Sequence, residues 1–286
     1  MAHETMKAGD LTAVIGDNAA DGEHRGGYNG VWSLTHRTEP ENLFVPAVAG
    51  LNFEHIFDGD KHDSDGSQKI FFEPRQAPMA LTKLSDTEME LHQDPTPTFH
   101  LESWTRFRLA APHYLDFSFR CRATQHVFAH DYIGLFWASY INAPDDKSLY
   151  FRNNQWLQLC TQEHNDESTV RHCDDRIDLK FSEGLGNALY RNLSRLRFGE
   201  PLCYGNFRKH VFLIMFDRTD GIRLTHSPSG GGVNKERDTA NPAWDFQFLI
   251  PNCEVKREYG FKARVVYREQ CSRAEILKEV ENWKNR

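Results

Sequence analysis

Across residues 133–141 (IGLFWASYI) every side chain is apolar, small or tyrosine, and no other stretch limits the fold as tightly. A half-exposed strand alternates; a strand without a polar face needs cover on both sides. This run therefore predicts a central strand. The chain then changes character. In residues 155–165, Leu157, Leu159 and Thr161 alternate with Gln158, Cys160, Gln162 and His164. A strand here would pack one face and offer amides and an imidazole on the other, as the floor of a binding site.

Period-two patterning recurs elsewhere. In residues 100–109, Leu101, Ser103, Thr105, Phe107 and Leu109 alternate with His100, Glu102, Trp104, Arg106 and Arg108, and a partner strand over 114–122 completes a hairpin. Further strands are expected at 28–36, 42–48, 69–73, 80–84, 88–92, 244–250 and 259–268. Residues 209–217 and 222–226 suggest a second hairpin across RTDG. Leu185, Leu189, Leu193 and Leu196 have helical spacing, and Ser272 with Glu275 forms a capping box opening a helix to about residue 284. With so many strands and no β/α alternation, the chain reads as all-β: one large antiparallel β-sandwich over 28–271, preceded by a loose arm or edge strand over 1–27 and followed by a C-terminal helix over 272–286.

Composition narrows the ligand. Aromatic residues reach 12%, with 20 Phe, 9 Tyr and 6 Trp, which favours strands and sugar-facing surfaces over helix bundles. The net charge of −7 includes no basic run, arguing against a nucleic-acid partner; a polyanion would need a local arginine cluster to receive it. Six cysteines without a C-x-x-C pair read as mostly free, buried thiols, favouring a reducing compartment such as the cytoplasm over the periplasm. No stretch resembles an export signal or a membrane span, so a soluble protein is expected.

The order YNGVWSLTHRTEPENLFVPAVAGLNFEHI, HLESWTRFRLAAPHYLDFSFRC and NPAWDFQFLIPNCEVKREYGFKARVVY resembles the large β-sandwich of the galactose-mutarotase-like superfamily. The rival is the concanavalin-like jelly roll of lectins, laminarinases and alginate lyases; QEH at 162–164 is similar to the Q-x-H of the lyases, although LESWTRFR does not reproduce their R-x-E-x-R strand. Both resemblances imply a carbohydrate on a concave sheet face.

The expected protein is thus a carbohydrate-active enzyme, an epimerase, lyase or glycoside hydrolase, acting on a mono- or oligosaccharide, neutral or uronic. Histidine suits proton transfer near neutral pH, which marks His164, His172 and His226, with Glu102 or Glu54 acting opposite them. Trp104, Trp137, Arg106, Arg171, Gln162, Asp245 and Gln247 are the substrate-binding candidates, since a ring beside charged groups suits a pyranose. The loop containing Asp58, Asp60, Asp63 and Asp65 lacks the distal Glu of an EF-hand and reads as a solvated turn, so no cofactor is firmly expected; the other reading is a divalent cation on that loop or on His55, His164 or His172 with a carboxylate. The alternative is a non-catalytic carbohydrate-binding protein, which would need Trp104 and Arg106 but no histidine.

Overall fold

A computed structural model describes residues 2–60, 70–185 and 189–284. In chain order the elements are β1 (His3–Ala8), β2 (Leu11–Gly16), β3 (Gly30–His36), β4 (Asn52–Phe57), the short helix α1 (Glu73–Gln76), β5 (Ala80–Ser85), β6 (Glu88–Gln93), β7 (Leu101–Ala110) and β8 (Tyr114–Ala123). There follow β9 (Tyr132–Ala138), β10 (Leu149–Asn153), β11 (Gln155–Leu159), β12 (Thr169–His172), β13 (Leu193–Phe198), β14 (Leu202–Phe207), β15 (His210–Phe216) and β16 (Ile222–Ser227). A ribbon of β17 (Val233–Asn234) and β18 (Thr239–Ala240), then β19 (Ala243–Pro251), β20 (Glu258–Glu269) and helix α2 (Arg273–Lys284) complete the chain.

Two large sheets make the sandwich. One has nine strands in the order β11-β10-β14-β15-β20-β8-β7-β6-β5, the other six in the order β13-β12-β16-β19-β9-β4. Pairing within them is antiparallel except between β12 and β13. Their facing sides form the main core, where Trp137 stacks on Phe246 at 5.0 Å and meets Phe119 edge-on at 4.7 Å. Burying one such aromatic is worth about 1.5–3 kcal/mol. The six-stranded sheet is covered on its other side as well, by a second apolar cluster that includes Phe57, Phe136, Tyr190 and Leu249. That double cover is what the unbroken apolar run over 133–141 requires, and all seven residues of β9 are buried.

Several local expectations change. Residues 3–16 form the β1–β2 hairpin rather than a loose arm. Residues 42–48 make only an isolated bridge, Phe44 to Ile141, because the Asn42 side chain takes the Leu34 and Phe44 amides that a strand would pair. Of the expected strand at 69–73, Lys69 lies outside the described residues and Glu73 instead opens α1, its carboxylate accepting the Thr98 and Phe99 amides. β15 and β16 do not form a hairpin: both are buried along their whole length, and each sits inside a different sheet, so RTDG carries the chain across the sandwich. The expected helix over 185–196 gives way to β13, which pairs with β12; residues 186–188 are outside the described set. The C-terminal helix follows its capping box, with Ser272 N–H donating to Glu275 Oε2 at 2.9 Å and Glu275 N–H to Ser272 Oγ at 3.3 Å.

All six cysteines are free, but only Cys121, Cys203 and Cys253 are buried. No helix among the described residues is long and apolar enough to cross a membrane.

Candidate functional site

The cavity that gathers most chemistry lies on the outer side of the six-stranded sheet and measures about 770 Å³. Its floor comes from strands: Glu54 and His55 on β4, Phe136 and Ala138 on β9, Ala243 and Asp245 on β19, and Ser227 on β16. Its walls are Tyr28, Ile70, Phe71, Phe72 and Arg75, Tyr140, the His164–Asn165 turn, and Leu185 with Leu189. The pairing register between β4 and β9 shifts between Phe53 and His55. A bulge of this kind re-aims side chains, and here it leaves Phe53 in the core while Glu54 and His55 both line the cavity.

Glu54 is the polar centre. Its Oε1 accepts the Tyr140 hydroxyl at 2.6 Å and Arg75 Nη1 at 2.9 Å, while Oε2 lies 3.6 Å from His55 Nε2. Burial pushes the Glu54 carboxyl above its ordinary value, and the Tyr140 and Arg75 contacts pull against that without reversing it. Asp245 is buried too, with Oδ1 accepting the Ser139 amide at 2.9 Å. Burial raises its carboxyl well above the usual range; the Ser139 bond opposes this, and the nearby Glu54 charge adds to it. Burial holds His55 well below the ordinary imidazole value, reinforced by Arg75, and its ring lies against Phe136 and Phe71, 4.6 and 3.9 Å away. It therefore acts as a neutral wall. Arg75 is fixed by Gly27 O, which accepts Nε at 2.8 Å, and lies 4.1 Å from the Tyr28 ring centroid. At the mouth, exposed His164 places Nδ1 2.8 Å from Ser227 Oγ.

Four of the sequence candidates thus meet in one cavity: Glu54, His55, Asp245 and His164. The others go elsewhere. His164 itself is in a turn rather than on a strand, because β11 ends at Leu159. Gln162 is exposed and donates to its neighbour's carbonyl, Cys160 O, at 3.2 Å. Gln247 is on the same face of β19 as Asp245 but fully buried, its amide 3.4 Å from Thr169 and Thr225 hydroxyls. His172 is used by the backbone: Nδ1 accepts the Asp174 amide at 3.1 Å and Nε2 donates to Gly199 O at 3.3 Å. His226 points from β16 into the sandwich, where Nδ1 accepts the Thr161 amide at 3.2 Å and Nε2 donates to Lys147 O at 2.8 Å. Trp137 is in the core with no exposed surface, so it packs. Arg171 lies on β12 outside the cavity lining.

Glu102, Trp104 and Arg106 are on the outer side of the other sheet. There cross-strand partners fill the face: Arg122 Nε to Glu102 at 2.7 Å, Arg106 Nη2 to Glu90 at 2.9 Å, Arg120 at 4.0 Å from the Trp104 ring centroid and His92 stacked against it at 5.1 Å. The indole is flanked on both neighbouring strands, and with Arg106 it lines a separate cavity of about 480 Å³.

Tyr140 and Arg75 are not among the sequence candidates. Tyr140 was visible as the one residue with a hydroxyl-bearing ring in the apolar run; Arg75 had no signal, since it reaches the cavity from a four-residue helix. Among the described residues, ligand atoms that would suit a divalent cation converge within 4.8 Å at two places, His92/Asp94/Glu102 and His172/Cys173/Asp174, neither in the cavity. Asp63 and Asp65 lie outside the described residues, and Asp58 is buried, accepting the Ala129 amide at 2.9 Å.

These features define a β-sandwich with an acidic, aromatic-walled cavity on one sheet. No protein-family model matches the chain, and no curated protein matches it by sequence. Its fold matches that of the galactose-mutarotase and aldose-epimerase superfamily across most of the chain, at low identity. A galactose mutarotase related enzyme from Lactobacillus acidophilus superimposes with a TM-score of 0.53 at 11% identity, covering 93% of this chain and 97% of that one. A galactose mutarotase-like protein from Lactobacillus casei gives 0.50 at 11%, covering 93% and 100%. The GalM/aldose epimerase homologue from C. elegans gives 0.50 at 8%, covering 94% and 100%. At such identities the likeness establishes the fold alone.

Proposed function

We propose that the protein is a sugar-modifying enzyme that interconverts anomers of a mono- or oligosaccharide bound in the cavity, with Glu54 and Asp245 as the acid–base pair. The observation that carries this reading is the pair itself: two buried carboxyl groups, both raised above their ordinary values, on one sheet face beneath an aromatic-lined cavity. Perturbed carboxyls in such a cleft are poised for proton transfer. The cavity volume falls within the range of about 300–1,000 Å³ usual for small-molecule sites.

Opening a cyclic hemiacetal removes the anomeric hydroxyl proton and protonates the ring oxygen as the ring C–O bond breaks and the carbonyl forms. Glu54, as the carboxylate, takes the hydroxyl proton; Asp245, kept as the acid by burial, supplies the other. Rotation of the carbonyl group and closure on its other face return both protons. Tyr140 and Arg75 hold the Glu54 anion until it is protonated, and Tyr28, Phe71, Phe136 and Tyr140 offer apolar ring surface to the sugar. His164 stands at the mouth as a second proton carrier. The fold shared with proteins described as mutarotase-related supports this over the lyase reading, of whose Q-x-H pair His164 lines the cavity and Gln162 does not.

The test is a thermal-shift screen of neutral and uronic mono- and oligosaccharides, followed by turnover with any sugar that binds. Glu54→Gln keeps the shape of the site, and the expected result is binding within a few-fold of wild type with turnover reduced about 10²–10⁴-fold. Equal turnover in wild type and variant refutes the assignment. Binding without turnover in either identifies a non-catalytic sugar-binding protein.

A further inference from the structure

Arg171 is left over from the site above. On β12 it has Arg197 opposite on the parallel neighbour β13 and Arg223 opposite on the antiparallel neighbour β16. Residues paired in register share a sheet face, so three guanidinium stems rise side by side. Like charges so placed repel, and a sheet ordinarily interposes a carboxylate. One is present: Asp175 Oδ2 accepts Arg223 Nε at 2.7 Å, in a pair whose side chains are 1% and 6% exposed, and Arg223 Nη2 also donates to Ile177 O at 2.9 Å.

Among the described residues no acid forms an ion pair with the other two. Arg197 directs Nη1 to the carbonyls of Ser194 and Leu196, at 2.8 and 3.0 Å. Arg171 makes no hydrogen bond or ion pair with the described residues, and its Nε is buried without a partner. Arg176 approaches the same cluster from the following turn, bonded to the carbonyls of Cys173 and Asp175. Asp174, the remaining acid of that turn, is 83% exposed and faces His172 Nδ1 at 3.9 Å. Burial, then the charges of Arg171, Arg223 and Arg176, hold Arg197 below its ordinary value, while Asp175 opposes them. In a chain of net charge −7, this row concentrates positive charge that the described residues leave without a paired acid beyond Asp175.

The geometry points to an anion site at Arg171 and Arg197 for a phosphate or sulfate group. The planar guanidinium fork of Arg171 suits two oxygens of a tetrahedral oxyanion, and a dianion balances the two unpaired charges where a neutral hydroxyl would not. The site is on the same sheet face as the cavity, Arg223 being opposite Gln247 on β19. It stands on the arginine row alone and does not depend on the chemistry assigned to Glu54 and Asp245.

Thermal melts and calorimetric titration of the full chain with inorganic phosphate, sulfate and methyl phosphate, against sodium chloride at matched ionic strength, test it. Wild type is expected to gain melting temperature saturably with phosphate and sulfate and not with chloride. Arg171→Gln is expected to lose affinity about tenfold or more and, without anion, to melt no lower than wild type, because removing one of the facing charges relieves repulsion. Arg171→Lys keeps the charge without the fork and should fall between the two. Tighter binding of methyl phosphate would identify an esterified ligand, and tighter binding of inorganic phosphate the free ion; both outcomes support the site. Indifference of wild type to phosphate and sulfate beyond ionic strength, or undiminished binding by both variants, overturns it.

Discussion

The Glu54 carboxyl feels opposing influences, and each can be removed singly. Burial raises it, while the Tyr140 hydroxyl and Arg75 lower it. A base acts only when deprotonated, so activity should fall as pH drops through the raised value, above the ordinary glutamate range. Tyr140→Phe deletes a hydrogen bond to the anion and is expected to move that acid limb to higher pH, read from a pH profile of kcat/KM. A limb that stays in place would detach Tyr140 from the base. At this scale the sequence was only partly informative. Glu54 was eligible as an acid acting opposite a histidine and Asp245 as a substrate-binding group, and His172 and His226 looked equally eligible as proton carriers. Only the fold shows that their ring nitrogens are taken up by Asp174, Gly199, Thr161 and Lys147.

Among the elements, strands with clear alternation or unbroken apolar character were legible, and β7, β8, β9, β19 and β20 fall where the pattern puts them. Ambiguity arose where a pattern fits two structures. Leu185, Leu189, Leu193 and Leu196 are spaced for a helix, yet Leu193 and Leu196 belong to β13, whose partner β12 is distant in sequence and invisible to local periodicity. RTDG suits a hairpin, but two wholly buried strands cannot both be edge neighbours of a short turn when each has a place inside a separate sheet. β9 carries a tight constraint: a Cβ on Gly134 would stand 2.5 Å from Tyr190 Cε1. Gly134→Ala should therefore cost about 1–3 kcal/mol in denaturant melts and disturb the Tyr190 cover beside the cavity. A neutral effect would show that this cover yields freely.

For the molecule as a whole, buried histidines decide the response to acid. Burial lowers His24, His36, His55, His210 and His226 among the described residues. Each is neutral in both states above the unfolded value of 6.5, so its full contribution is present there. As pH falls below 6.5 the unfolded chain binds protons the fold refuses, and stability declines until the depressed folded values are reached. Glu54 and Asp245, being raised, act in the opposite sense, since the fold then holds protons the unfolded chain has released. Five histidines outweigh two carboxyls, and the melting temperature is expected to drop between pH 6.5 and 5; a rise over that interval would contradict the burial pattern. Architecture was the most legible level, because the count of strands and the double-sided β9 already imply a sandwich. The location of the cavity was not, since it depends on the β4 bulge and on segments crossing the sheet.

The most direct measurement is anomer exchange followed by NMR, using freshly dissolved single anomers of a panel of aldoses with wild type, Glu54→Gln and Asp245→Asn. Wild type is expected to accelerate interconversion of at least one aldose, and both variants to stay folded and lose most of that acceleration. No acceleration of any aldose by wild type, or full activity in folded Glu54→Gln, would contradict the proposed function.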